Sequence, residues 1–107
     1  MVHREFVYFF HAPAWRATKI GFSASPHQRL GIIQTSCPFA LECDQIWECG
    51  RKYERVLHSA LSGARLQGEW FDSTAVDDLL FTLAWYEFHH DVEPHQALDI
   101  YLAETRS

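Results

Sequence analysis

Phe6-Val7-Tyr8-Phe9-Phe10 is an unbroken run of apolar and aromatic residues whose types favour extended backbone. Successive side chains of a strand point to opposite faces, so a run without polar interruption reads as a strand buried on both of them. Whatever else the chain does, it has to supply cover above and below this segment. Pro13 and the small residues beside it break the pattern into a loop through Trp15 and Arg16. Thr18 to Ser23 then alternates, with Ile20 and Phe22 on one face and Lys19, Gly21 and Ser23 on the other. The two runs predict an antiparallel hairpin that brings Tyr8 within reach of Lys19.

Ser25-Pro26-His27-Gln28 carries the signals of a helix start: a Ser N-cap, Pro at the first helical position and Gln three residues after the cap to close a capping box. Arg29 falls in the first turn, and Leu30 and Ile33 occupy the buried side. Pro38 bars further helix, and Leu41 to Cys49 predicts a third strand carrying Leu41, Cys43 and Trp47. Tyr53, Val56, Leu57, Ala60 and Leu61 repeat at helical spacing, so a helix over about 51–61, ended by Gly63, docks on the sheet. Glu54 and His58 lie beside that stripe, four residues apart and therefore stacked on the helix surface. That arrangement fits an ordinary surface ion pair as well as a functional pair.

Gly68-Glu69-Trp70-Phe71 predicts a brief extended segment with both aromatics against the core and Glu69 as a local structural partner. Thr74-x-x-Asp77 opens another helix. Val76, Leu79, Leu80 and Leu83 form one stripe on it, and Phe81, Trp85 and Phe88 a second. A helix apolar on two sides needs two covers. A last helix from near Pro94, with Leu98, Tyr101 and Leu102 inward, supplies one, and a protein partner or a second copy of the chain supplies the other.

At 107 residues the chain is one domain, and its aromatic fraction of 15% argues for a packed core rather than disorder. No apolar run approaches the roughly 18 residues of a membrane span and no leader pattern opens the chain, so the expectation is a soluble, cytoplasmic protein. Cys37, Cys43 and Cys49 form no Cys-x-x-Cys pair and His89-His90 accompany no zinc spacing, which points to reduced thiols and surface histidines. The net charge of -5 hides an asymmetry, with residues 1–68 carrying +3 and residues 69–107 carrying -8. The first two thirds suit a phosphate backbone and the tail does not.

The ordered set Tyr8, Lys19-Ile20-Gly21, Arg29, Glu54 with Leu57-His58, and Gly68-Glu69-Trp70-Phe71 resembles the GIY-YIG nuclease superfamily, and most of all its compact phage-type branch. The likeness covers roughly residues 6–71. It implies an α/β fold of the α+β kind, a small three-stranded antiparallel sheet flanked by helices over residues 1–72, to which the charge and the helical stripes add an acidic helical extension over 73–107. It also implies a magnesium- or manganese-dependent site that hydrolyses phosphodiesters, with DNA as partner. Carried across by position, Tyr8 corresponds to the tyrosine that helps activate water, Lys19 stands where many members have a second tyrosine, and Gly21 is the motif glycine. Arg29 corresponds to the phosphate-binding arginine, Glu54 to the metal-ligating glutamate, and His58 to a signature of this branch. The first motif here reads Phe6-Val7-Tyr8, so only its tyrosine carries over, and the general base stays open between Tyr8 and Lys19.

The residue chemistry agrees with those roles. A guanidinium offers planar, permanently charged donors to the oxygens that gather charge in phosphoryl transfer, and a helix start aims free N–H groups at an anion. Magnesium is usually held by only one or two carboxylates, so a single glutamate suffices. Tyrosine is a weak base at its usual pKa near 10, and a neighbouring ammonium such as that of Lys19 would favour the phenolate. The acidic tail and the doubly apolar helix at 76–88 support a different expectation: a non-catalytic binding protein of the same fold, a phage-type inhibitor or adaptor that works through its tail.

Overall fold

β1 (Phe6–Ala12) and β2 (Ala17–Ser23) form the antiparallel hairpin, in a register that sets Tyr8 opposite Gly21 and Phe10 opposite Lys19. The computed structural model describes residues 4–106, so residues 1–3 and 107, the outer ends of the two expected segments, lie outside the described residues. α1 (Pro26–Thr35) follows, then β3 (Glu42–Glu48), which pairs antiparallel with the other edge of β1. α2 (Lys52–Ala60), two short strands, β4 (Arg65–Gln67) and β5 (Trp70–Asp72), and two helices, α3 (Ser73–His90) and α4 (Pro94–Thr105), complete the chain. The class is α+β, but the sheet has five strands, ordered β3-β1-β2-β5-β4, where three were expected. β4 and β5 are three residues each, too short to show alternation, and they are joined through Gly68 in the left-handed region at φ 55°.

β1 is buried on both faces. Val7 and Phe9 meet Ile20, Trp47 and Phe71 on one side, and Tyr53 and Leu57 of α2, with Leu61 just beyond its end, pack onto them. Val76 and Leu83 of α3 and Ala97 and Leu98 of α4 enter the same cluster, so the C-terminal helices share the core of the sheet. A buried hydrogen bond of 2.8 Å between Thr18 Oγ1 and Ser73 Oγ, together with Ser73 N–H donating to the Arg16 carbonyl at 2.9 Å, ties the start of α3 to β2.

Several local expectations give way to tertiary geometry. Asp44 is the extra residue of a bulge opposite Phe9 and Phe10, so Cys43 and Trp47 fall on different faces instead of sharing one. Trp47 is buried in the core while Cys43 is half-buried opposite Phe10. Trp70 and Phe71 likewise divide between faces, because neighbours on a strand must, and only Phe71 reaches the core. Ser25 makes no side-chain cap, its own N–H donating instead to Ser23 Oγ at 2.9 Å. α3 is capped by Asp72, whose carboxylate accepts from Thr74 N–H at 2.8 Å, rather than by Thr74.

α4 covers one stripe of α3, and the other stays open, with Phe81 82%, Trp85 54% and Phe88 83% exposed. Among the described residues no helix is long and apolar enough to cross a membrane. Removing the fully buried Leu57 side chain is expected to cost about 2–5 kcal/mol, whereas Phe88→Ala on the open stripe should stay within about 0.5 kcal/mol. Urea denaturation of Leu57→Ala and Phe88→Ala measures both, and equal losses would contradict this placement of the core.

Candidate functional site

The face of the sheet turned away from the core carries the residues of interest. Tyr8 and Phe10 leave β1 on that side as a stacked pair, with centroids 3.9 Å apart at 16°. Strand register puts Gly21 beside Tyr8, Lys19 beside Phe10 and Trp70 beside Lys19, all pointing the same way. α1 packs against β1, β2 and β3 with residues that lie outside the core cluster. Gly21 is what lets the phenol lie flat across β2. A Cβ at that position would overlap the Tyr8 hydroxyl and Cζ and stand 2.9 Å from Cε1, so any side chain there displaces the ring.

The Tyr8 hydroxyl is the electrostatic meeting point. Burial pushes its pKa up to about 12, the Glu69 carboxylate adds to that, Arg29 opposes it and Glu54 adds again. Arg29 from α1, Glu54 from α2 and Glu69 from the β4–β5 turn therefore all act electrostatically on one hydroxyl, although they come from three separate parts of the chain. Lys19 is drawn in through Glu69, with Nζ 3.0 Å from Glu69 Oε1. The ammonium is held there, and the phenol is kept neutral by its burial and two carboxylates, against the expectation that a neighbouring ammonium favours the phenolate. Arg29 also lines a cleft of about 310 Å³ with Phe22, Ser23 and Gln28. A larger cavity of about 450 Å³ lies among α2, α3 and α4, away from all of these groups.

Glu54 and His58 do not form the surface ion pair that their spacing permits. His58 Nε2 lies 2.8 Å from the Ile20 carbonyl oxygen, and its ring tilts against Phe71 at 5.1 Å. A carbonyl only accepts, so Nε2 carries the proton and Nδ1 of the neutral ring keeps its lone pair. The imidazole thus docks α2 on the backbone next to Gly21. Glu54, half-buried, has no Lys, Arg or His nitrogen within ion-pair distance among the described residues.

Among the described residues no three His, Cys, Asp or Glu side chains gather as a metal-ligand group. What the site offers is one half-buried carboxylate without an ion-pair partner among the described residues, which with Glu69 acts electrostatically on the Tyr8 hydroxyl. That donor set fits a hard divalent cation that keeps most of its ligands as water and phosphate oxygen, and does not fit a closed zinc site. An aromatic cluster escaped the sequence reading. Trp15 meets Phe39 at 5.2 Å and Trp70 at 5.7 Å, and Lys19 Nζ lies 5.7 Å from the Trp70 ring centre. The one available signal was Trp15 in a Pro-containing loop beside Arg16.

The family model of the T5orf172 domain matches residues 5–87 and so runs on into α3. No curated protein and no solved structure matches the chain.

Because the folded pKa of Tyr8 lies above the unfolded value near 10, its contribution to stability is complete below about pH 10 and is lost as pH rises through about 12. Tyr53, raised to about 12 by burial and its hydrogen bond to Asp99, acts in the same direction. Tyr8→Phe should therefore reduce, without abolishing, the loss of stability between pH 10 and 12, and should delete one late-ionising phenol from an absorbance titration. Gly21→Ala should cost about 1–3 kcal/mol through overpacking and move the Tyr8 ionisation toward that of an exposed phenol. An unshifted titration in Gly21→Ala would show that the ring does not depend on the missing Cβ.

Proposed function

The chain belongs to the T5orf172 domain family, phage-type domains linked to nuclease-like proteins, and on that footing we propose that it is a metal-dependent endonuclease hydrolysing phosphodiester bonds in DNA by GIY-YIG-type chemistry. The observation that carries this reading is the seating of the Tyr8 hydroxyl over Gly21, which has no Cβ to exclude it, on the sheet face that also carries the Lys19–Glu69 ion pair, with Arg29, Glu54 and Glu69 near enough to act on that hydroxyl electrostatically. Core packing alone asks for none of these charges at that point.

Each residue has a task in this reading. Arg29, at the first turn of α1 and on the edge of a cleft, binds the non-bridging oxygens of the scissile phosphate and meets their growing charge. Glu54 would hold Mg2+ or Mn2+, which supplies charge neutralisation at the phosphate and a more acidic water. Tyr8, its hydroxyl seated over Gly21, orients the attacking water. His58, with Nε2–H given to the Ile20 carbonyl, offers Nδ1 as a proton acceptor and at the same time fixes the helix that bears Glu54. Lys19, positioned by Glu69, faces the phosphate backbone.

A second reading, the binding protein acting through its acidic helical tail, is favoured by the open stripe Phe81, Trp85 and Phe88. Asp77 and Asp78 precede Phe81 by one turn, so the partner that fits is a protein groove with an apolar floor and a basic rim.

Nicking of supercoiled plasmid by purified protein decides between the two. The nuclease reading expects magnesium-dependent nicking that chelation stops, that Glu54→Gln removes, and that Arg29→Ala slows by about 10²–10³-fold. Nicking by Glu54→Gln at the wild-type rate would sink it. A folded wild-type chain that does not nick with magnesium or manganese would leave the binding-protein reading standing.

A further inference from the structure

We propose that Trp15, Phe39 and Trp70 form a stacking platform for an unpaired nucleotide, so that the substrate of this site is nucleic acid with single-stranded character beside the scissile phosphate. The inference rests on the nuclease reading for the location of the phosphate, and on independent geometry for the platform.

Trp15 is 45% exposed and Phe39 42% exposed, which is unusual for rings that touch each other and a third aromatic. Their contacts are edge-on, 78° for Trp15 with Phe39 and 74° for Trp15 with Trp70. Rings locked edge to face hold one another rigid, and the exposure that remains on Trp15 and Phe39 is available to another flat group. The three residues come from the β1–β2 turn, the α1–β3 loop and β5, so the cluster exists only in the folded chain.

Position separates a nucleotide from an ordinary apolar partner. Trp70 lies next to Lys19 on the face that carries Tyr8, and the Lys19 ammonium is 5.7 Å from the Trp70 ring centre. Arg16, adjacent to Trp15, is exposed and has no ion-pair partner among the described residues. Its backbone sits in the left-handed region at φ 50°, an uncommon conformation for a residue with a side chain, and closes the turn that presents Trp15. Aromatic faces bordered by the Arg16 guanidinium and by the Lys19–Glu69 ion pair, on the sheet face that carries Tyr8, match the alternation of base and phosphate along a single strand. In a duplex the bases are stacked on one another and their faces are not available, so a paired substrate gains only the charge contacts.

The test is equilibrium binding of a labelled oligo-dT and of a blunt duplex of equal length by the full chain carrying Glu54→Gln, which separates binding from cleavage. Trp15→Ala is expected to weaken oligo-dT binding by about 5- to 100-fold while changing duplex binding less than about twofold, and Trp15→Tyr is expected to restore most of the affinity. Trp15→Ala that is folded by circular dichroism yet binds oligo-dT as tightly as its parent, or that loses both ligands equally, would overturn the proposal. Failure of the nuclease reading looks different: oligo-dT binding that depends on Trp15, in a chain whose Glu54-intact form never nicks.

Discussion

Burial of β1 on both faces is the constraint on which the rest of the molecule depends. Val7 and Phe9 require the helical layer of α2, α3 and α4, and Tyr8 and Phe10 require cover of their own on the opposite side. The first layer is complete and apolar and supplies most of the stabilising burial. The second is made by α1 and the aromatic loops and is partial, which lets a buried tyrosine present its hydroxyl to charged side chains. One strand therefore serves as the centre of the core with its odd residues and as the floor of the site with its even ones.

Electrostatics on the second face are unbalanced in a way that a purely structural surface would not need. Two carboxylates and one guanidinium act on Tyr8, and of the carboxylates only Glu69 has a cationic partner, Lys19. Glu54 stays without an ion-pair partner among the described residues, a half-buried carboxylate open to a cation. Burial and the same carboxylates push the Tyr8 hydroxyl above the usual phenol pKa, with Arg29 opposing them. Lys19, expected beside Tyr8, is ion-paired to Glu69 and is not among the groups acting on the Tyr8 hydroxyl.

Much of the architecture was legible because it depends on local pattern. The apolar run of β1, the alternation of β2 and the stripe of α2 are each long enough to show their period, and each element forms where that period puts it. What stayed hidden has a common cause. β4 and β5 are too short to carry a period, the bulge at Asp44 is visible only against a partner strand, and Trp70 looked like core because its neighbour Phe71 is. The Ser25 capping box has the right residues, yet the side chain that bonds there is Ser23, presented by the end of β2.

By itself the sequence determined the α+β class, the central hairpin, the helix that carries Glu54 and His58, and which residues were worth watching: Tyr8, Lys19, Arg29, Glu54 and His58. The elements are properties of spacing along the chain, which is enough to place a side chain on a face, whereas the five residues were singled out by the resemblance of their ordered motifs to a known family. Only the tertiary structure decided what each of them meets. Glu69 takes Lys19, the Ile20 carbonyl takes His58, and the space above Gly21 takes the Tyr8 ring, because these partners are brought together by strand register and helix docking across long stretches of chain. The aromatic cluster of Trp15, Phe39 and Trp70 belongs to the same category, since no period links residues on two connections and a short strand and only packing sets them edge to face beside Lys19.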